Sequence, residues 1–227
     1  MVTPAKPLAS GRDSDVYGYA EGLVLRRYRD GRSAADEATV IRQLGELGYP
    51  VPFVHSSSGP DIVMERVDGP TMAGALRAGS LGIVDGARQF ARLHDDLHDI
   101  PWPGAAPGDC LLHLDLHPLN VLMAGSGAVV IDWSNARPGP AGLDVAMSAL
   151  ILAQVVVLPD TLEGPPELEE LVRDVLTEFL TEFAGTVSTP YAGHLAEAEE
   201  LRRQDPNMSA EELRLMSSAV DLARSAA

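Results

Sequence analysis

Apolar positions in the first 67 residues mark short strands plus one helix, and beyond them fall mainly at helical spacing. Val16–Ala20 and Leu23–Tyr28 read as strands of a hairpin turning at Glu21-Gly22. Ser33 then opens a helix as its cap, with Asp36 three residues on in a weak capping box. Ala38, Ile41, Leu44 and Leu47 form the apolar stripe of that helix, and Gly48 ends it. Pro50 and Pro52 stiffen the exit, and Asp61–Val67 is a further strand closed by Asp68-Gly69-Pro70.

From residue 71 the helical spacing takes over. Ala87, Phe90, Leu93 and Leu97 mark one amphipathic helix. A second hairpin, Asn120–Ala124 and Ala128–Asp132, crosses Gly125-Ser-Gly127. Residues 142–157 are apolar nearly all round, which predicts a buried central helix. Leu168, Leu171, Val172, Val175, Leu176, Phe179, Leu180 and Phe183 form another helical stripe, and Ser209 with Glu212 makes a full capping box for the last helix. The expected architecture is α+β and bilobal. Residues 1–67 form a small β-rich lobe with one helix, and 68–227 a mainly helical lobe that includes the second hairpin, with a cleft between them.

Composition narrows the function classes. The 227 residues carry 17 Lys+Arg against 33 Asp+Glu, a formal net charge of −16, which argues against nucleic acid and anionic membrane as partners. The same charge suits an amine-bearing small molecule, although most such carboxylates serve only solubility. The single cysteine, Cys110, excludes an intrachain disulfide and reads as a small apolar residue. No apolar run is long enough to span a bilayer and Met1–Ser10 lacks the core of a signal peptide, so a soluble cytoplasmic protein is expected.

The chemistry concentrates in His113-Leu-Asp115-Leu-His117-Pro-Leu-Asn120, followed by Val129-Val-Ile-Asp132-Trp133. Phosphoryl transfer needs a base near the acceptor hydroxyl and oxygen ligands that hold magnesium against a nucleotide's phosphates. Asp115 fits the base, in a loop that Pro118 keeps irregular, and Asn120 and Asp132 fit the magnesium ligands. The spacing His113-x-Asp115-x-His117 also allows a zinc hydrolase site, but that reading leaves Asn120 and Asp132 without a role. His113 reads better as a buried brace of the loop, with His117 helping to order it. Asp144, at the start of the buried helix, is expected to cap that helix and to hold the loop by hydrogen bonds.

The first 67 residues supply nucleotide-binding candidates. Gly11-Arg-Asp-Ser14-Asp-Val-Tyr17 offers small polar residues, Ser14 among them, whose backbone amides can approach phosphates, although no Gly-x-Gly-x-x-Gly is present. Arg26 lies where a strand points a cation inward, with Glu37 as its partner, and Arg27 is a rival for the role. On alternation Val24 shares the Arg26 face and can cover an adenine ring. The Glu65 carbonyl and the Val67 amide are candidates for contacting the base.

With Val130-Ile-Asp132-Trp133 and Gly142-Leu-Asp144-Val-Ala added, these phrases resemble the aminoglycoside phosphotransferase and choline kinase-like family from about residue 11 to 157. The resemblance implies a protein-kinase-like fold, ATP or GTP with Mg2+, Asp115 as base, and Asn120 and Asp132 as metal ligands. It also implies Arg26 with Glu37 as the pair that steers phosphate. Two departures stand out: Arg26 occupies the usual lysine position, and Trp133-Ser134 follows the metal Asp where protein kinases carry Phe-Gly. The first expectation is therefore a small-molecule kinase. The alternatives are a nucleotide-binding pseudokinase that acts by interaction and a zinc hydrolase.

Overall fold

A computed structural model describes residues 6–11, 13–158 and 166–227, and only the backbone for 166–171. Arg12 lies outside the described residues, as do the side chains of Leu168 and Leu171. The chain divides into two compact units: residues through Pro70 with Val121–Ser134, and Thr71–Asn120 with Asn135–Ala227.

In the first unit, β1 (Ala9–Ser10), β2 (Ser14–Ala20), β3 (Leu23–Tyr28), β4 (Val54–Ser58) and β5 (Asp61–Glu65) form an antiparallel sheet in the order β1-β2-β3-β5-β4. The β2–β3 turn is the expected one, with Gly22 at φ +69 supplying its left-handed residue. Helix α1 (Ala35–Glu46) buries Glu37, Ala38, Ile41 and Leu44 on one face, and Gly48 at φ +84 follows its end. Two local readings shift. Ala34, not Ser33, is the N-cap, because the Ser33 hydroxyl reaches only the Ala35 amide (3.2 Å). Leu47, past the last turn of the stripe, is exposed.

The second hairpin, β7 (Val121–Ala124) with β8 (Gly127–Val130), groups with this first unit rather than with residues 68–227. Its contacts explain why. Val130 N donates to Pro50 O (2.8 Å), Met123 N donates to Pro70 O (2.8 Å), and the Trp133 ring meets Tyr49 edge to face at 5.7 Å. Gly127 belongs to β8, so Gly125 and Ser126 alone make the turn.

In the second unit, α2 (Met72–Arg77) is capped by Thr71 and leads into α3 (Ile83–His98), which buries Ala87, Phe90, Leu93 and Leu97 as the stripe required. A short pair, β6 (Cys110–Leu112) with β9 (Arg137–Gly139), begins just before the His113–Asn120 loop. Helix α4 (Ala141–Val157) is buried at every residue from Gly142 to Gln154, as a helix apolar nearly all round must be. It packs against α5 (Pro166–Thr186), α6 (Leu195–Arg203) and α7 (Ala210–Ala226). Phe90 of α3 meets Phe179 and Phe183 of α5 with ring centroids 5.7 and 5.0 Å apart. The Ser209–Glu212 capping box forms as read.

Candidate active site

In the first unit, strand alternation turns Arg26 and Tyr28 of β3 inward and Arg27 outward. Arg26 is 7% exposed. Its Nη1 donates to Glu37 Oε1 of α1, its Nη2 to Asp132 Oδ1 at 2.5 Å, and its Nε to Ser14 Oγ at 3.0 Å. Glu37 also accepts from Tyr28 Oη (2.5 Å) and from the Trp133 amide (3.1 Å). Four of the candidate residues, Ser14, Arg26, Glu37 and Asp132, therefore converge. Arg27 pairs instead with Asp61, 2.5 Å away and part exposed.

Burial works against the Arg26 charge, but Asp132 and Glu37 outweigh it and hold the guanidinium above its ordinary pKa. Burial raises the Glu37 carboxyl, which Arg26 and Tyr28 only partly offset. Strand β8 stops at Val130, so Asp132 does not end a strand as expected. It sits two residues beyond, at φ +67, with Ser134 Oγ donating to its Oδ1 (3.0 Å). Ser14 meets the site through its hydroxyl on Arg26. Val24 lies opposite Met64 in the sheet, and Glu65 and Val67 line a separate cavity of about 300 Å³ with Pro50, Val51 and the hairpin turn.

In the second unit, the loop from His113 to Asn120 is held from several directions. Asp144, fully buried, accepts at Oδ1 from the amides of His113 (3.0 Å) and Leu114 (2.6 Å), and its Oδ2 lies 3.0 Å from His98 Nε2. Burial alone would raise this carboxyl. The His98 hydrogen bond and the neighbouring imidazoles overcome that and bring it to about 2. Asp144 thus holds the loop as expected, but it does not cap its helix. Pro140 is the N-cap, with no side-chain cap bond.

Leu114 adopts φ +60, a left-handed conformation that a branched side chain resists. Among the described residues, Leu114 and Asp132 are the non-glycine positions with positive φ, and both border candidate chemistry. His113 Nδ1 accepts from the Asp115 amide (3.3 Å), which fits the brace read for it. Asn120 Nδ2 donates to the Asp115 carbonyl (2.9 Å) and lies 3.3 Å from His117 Nε2. The Asp115 side chain stays 29% exposed while His113, Leu114, Leu116 and Asn120 around it are buried.

Oxygen donors suit magnesium. With Nδ2 committed to the loop, Asn120 has Oδ1 to offer, and Asp132 has Oδ2. The described residues form no zinc site. Among the described residues no three His, Cys, Asp or Glu side chains gather as one, and His113 and His117 face hydrogen-bond partners inside the loop.

Residues 102–174 match the model of the phosphotransferase enzyme family, described as such. The resemblance read from the sequence is borne out. The fold agrees along the chain. It is similar to the ADP-bound aminoglycoside phosphotransferase APH(2'')-Ib at 14% identity, covering 99% of this chain and 95% of that one, with a TM-score of 0.56. The streptomycin–ATP complex of APH(2'')-IIa gives 15% identity, coverages of 95% and 90%, and a TM-score of 0.57. A choline/ethanolamine kinase family protein from Mesorhizobium loti gives 13%, 99% and 88%, and 0.54. At these identities the likeness establishes the α+β kinase-like fold. No curated protein matches the chain. No described helix is long and apolar enough to cross a membrane.

The family's sequence pattern did not reveal His94, His98 and Ser148. All three lie behind the loop, with His98 bonded to Asp144 and Ser148 to the Leu116 carbonyl (2.8 Å). The available signal was spacing: His94 with His98, and Asp144 with Ser148, are each four apart and so share a helix face.

Proposed function

We propose that this chain transfers the γ-phosphoryl group of ATP or GTP to a hydroxyl of a small-molecule acceptor, with magnesium, in the cytoplasm. The observation that carries the reading is Arg26 held between Glu37 and Asp132. A buried cation fixed by a helix carboxylate is what orientation of nucleotide phosphates requires. Arg26 would neutralise phosphate charge, with Val24 against the base and the Glu65 carbonyl and Val67 amide hydrogen-bonding its edge. Ser14 would keep the Arg26 guanidinium in place. Asp115 would orient the acceptor hydroxyl and take its proton. Bound magnesium, held by Asn120 and Asp132, would offset charge building on the transferring phosphoryl group.

The acceptor is a small molecule, and the −16 net charge favours one bearing amines. Nucleotide consumption measured across a panel of hydroxyl acceptors tests the reading. Activity with at least one acceptor, lost in Asp115→Ala with the fold intact, supports it. Consumption that persists in Asp115→Ala overturns the assignment of the base.

One observation favours a second reading, a pseudokinase that binds nucleotide and acts by interaction. Arg26 already pairs with Asp132 Oδ1, which leaves magnesium only the other oxygen of that carboxylate. Nucleotide binding that is independent of magnesium, with no turnover on any acceptor, would select it.

A further inference from the structure

Helix α4 grips the loop on both sides of Asp115. Asp144 takes the amides of residues 113 and 114. One turn later on the same face, Ser148 donates to the Leu116 carbonyl at 2.8 Å. Ser148 Oγ also lies 2.8 Å from His94 Nε2, and His94 Nδ1 lies 3.1 Å from the Phe90 carbonyl. His94, Ser148 and Leu116 are wholly buried, so no solvent proton fills a gap in this chain.

The proton count is short by one. Both carbonyls can only accept, and Ser148 has a single proton. Burial lowers the His94 pKa to about 4, so at neutral pH the imidazole carries one proton as well. Three contacts therefore share two protons. The Phe90 carbonyl, inside α3, already receives a helical amide. The Leu116 carbonyl lies in a loop and has no helical ladder to fall back on. Leaving a buried carbonyl without a donor costs more than leaving an imidazole nitrogen bare beside a satisfied one. The cheaper state puts the His94 proton on Nε2, directed at Ser148, and the Ser148 proton on Leu116.

We propose that Ser148 is a positioning residue for the loop that carries Asp115, its hydroxyl proton directed onto the Leu116 carbonyl by a His94 protonated at Nε2. With residues 113 and 114 fixed from one side and 116 from the other, the peptide planes flanking Asp115 cannot rotate, and its carboxylate is pre-aimed. The catalytic meaning rests on the phosphotransfer reading; the tautomer and the ordering of the loop do not.

The test uses the full chain without ligand and then with nucleotide and an accepted acceptor. Nitrogen-15 chemical shifts at pH 7 should show His94 protonated at Nε2 and bare at Nδ1. S148A should speed amide exchange at residues 115–117. It should also lower kcat about tenfold, as loss of one hydrogen bond to a buried carbonyl implies, while the nucleotide KM stays within about twofold. H94Q, whose side-chain amide can still donate to Ser148, should keep several-fold more kcat than H94L. A proton on Nδ1, wild-type loop exchange in S148A, or equal kcat in H94Q and H94L would each overturn the proposal. If no acceptor is ever phosphorylated, the functional reading fails, and the shifts and exchange rates still decide this one.

Discussion

Arg26 Nη2 lies 2.5 Å from Asp132 Oδ1 while Nη1 of the same guanidinium holds Glu37. One planar fork thus serves two carboxylates, which a lysine ammonium on a flexible stem does not reproduce. R26K is expected to keep the Glu37 contact and give up the tie to Asp132. Nucleotide affinity should then fall about 10- to 100-fold, the value of one charged hydrogen bond, with little change in the melting temperature. R26M leaves two carboxylates facing each other and should cost about 3 kcal/mol of stability, read by denaturant unfolding.

Asp144 is the second element whose removal has a calculable consequence. D144A strips an acceptor from the buried amides of His113 and Leu114 and from the half-buried His98. The expected destabilisation is about 3–5 kcal/mol. It also releases Leu114 from its φ of +60, so the loop should relax toward ordinary backbone and activity should disappear beyond what the lost stability explains. D144N, which keeps one acceptor oxygen, should fall between. Thermal melts and amide exchange at residues 113–116 check both.

Acid stability follows from two depressed pKa values. His94 titrates near 4 in the folded chain against 6.5 unfolded, so the unfolded state binds more protons between those values. Stability contributed by the neutral imidazole is complete above pH 6.5, and on the order of 2–3 kcal/mol of it is lost as pH falls to about 4. Asp144, lowered from 3.8 to about 2, adds a further loss below pH 4. H94Q should flatten the upper limb of the pH–stability curve and leave the lower limb in place. An unchanged upper limb would assign it to another group.

Periodicity and composition carried the elements well, because burial enforces a period. The stripe Ala87, Phe90, Leu93, Leu97 and the mostly apolar 142–157 run have no stable alternative to a buried helix. The Arg26–Glu37 pairing was readable from strand alternation and one helix stripe. What escaped was set by tertiary contact. Asp132 adopts left-handed backbone with Arg26 and Ser134 holding its carboxylate, contacts that no local pattern announces. The hairpin at 120–132 read as part of the helical lobe because it follows the loop in sequence, whereas its backbone bonds run to Pro50 and Pro70. His94 and Ser148 sit on buried helix faces, and what they bond to shows only once the loop is laid against them.

Gly69 joins β5 to the hairpin through a contact that only glycine allows. A Cβ there would lie 2.1 Å from the Met123 carbonyl oxygen and 2.7 Å from its carbon. Both obstacles are backbone, and the next residue, Pro70, accepts the Met123 amide at 2.8 Å, so neither segment can retreat without breaking that bond. G69A should therefore destabilise the first unit by about 1–3 kcal/mol, the usual cost of an overpacked site, and displace the segment that carries Val67. The variant's unfolding midpoint and its nucleotide KM separate the two effects. A lowered midpoint with unchanged KM would show that the hairpin alone absorbs the strain. A raised KM at temperatures well below the midpoint would show that the shift reaches the backbone groups assigned to the base.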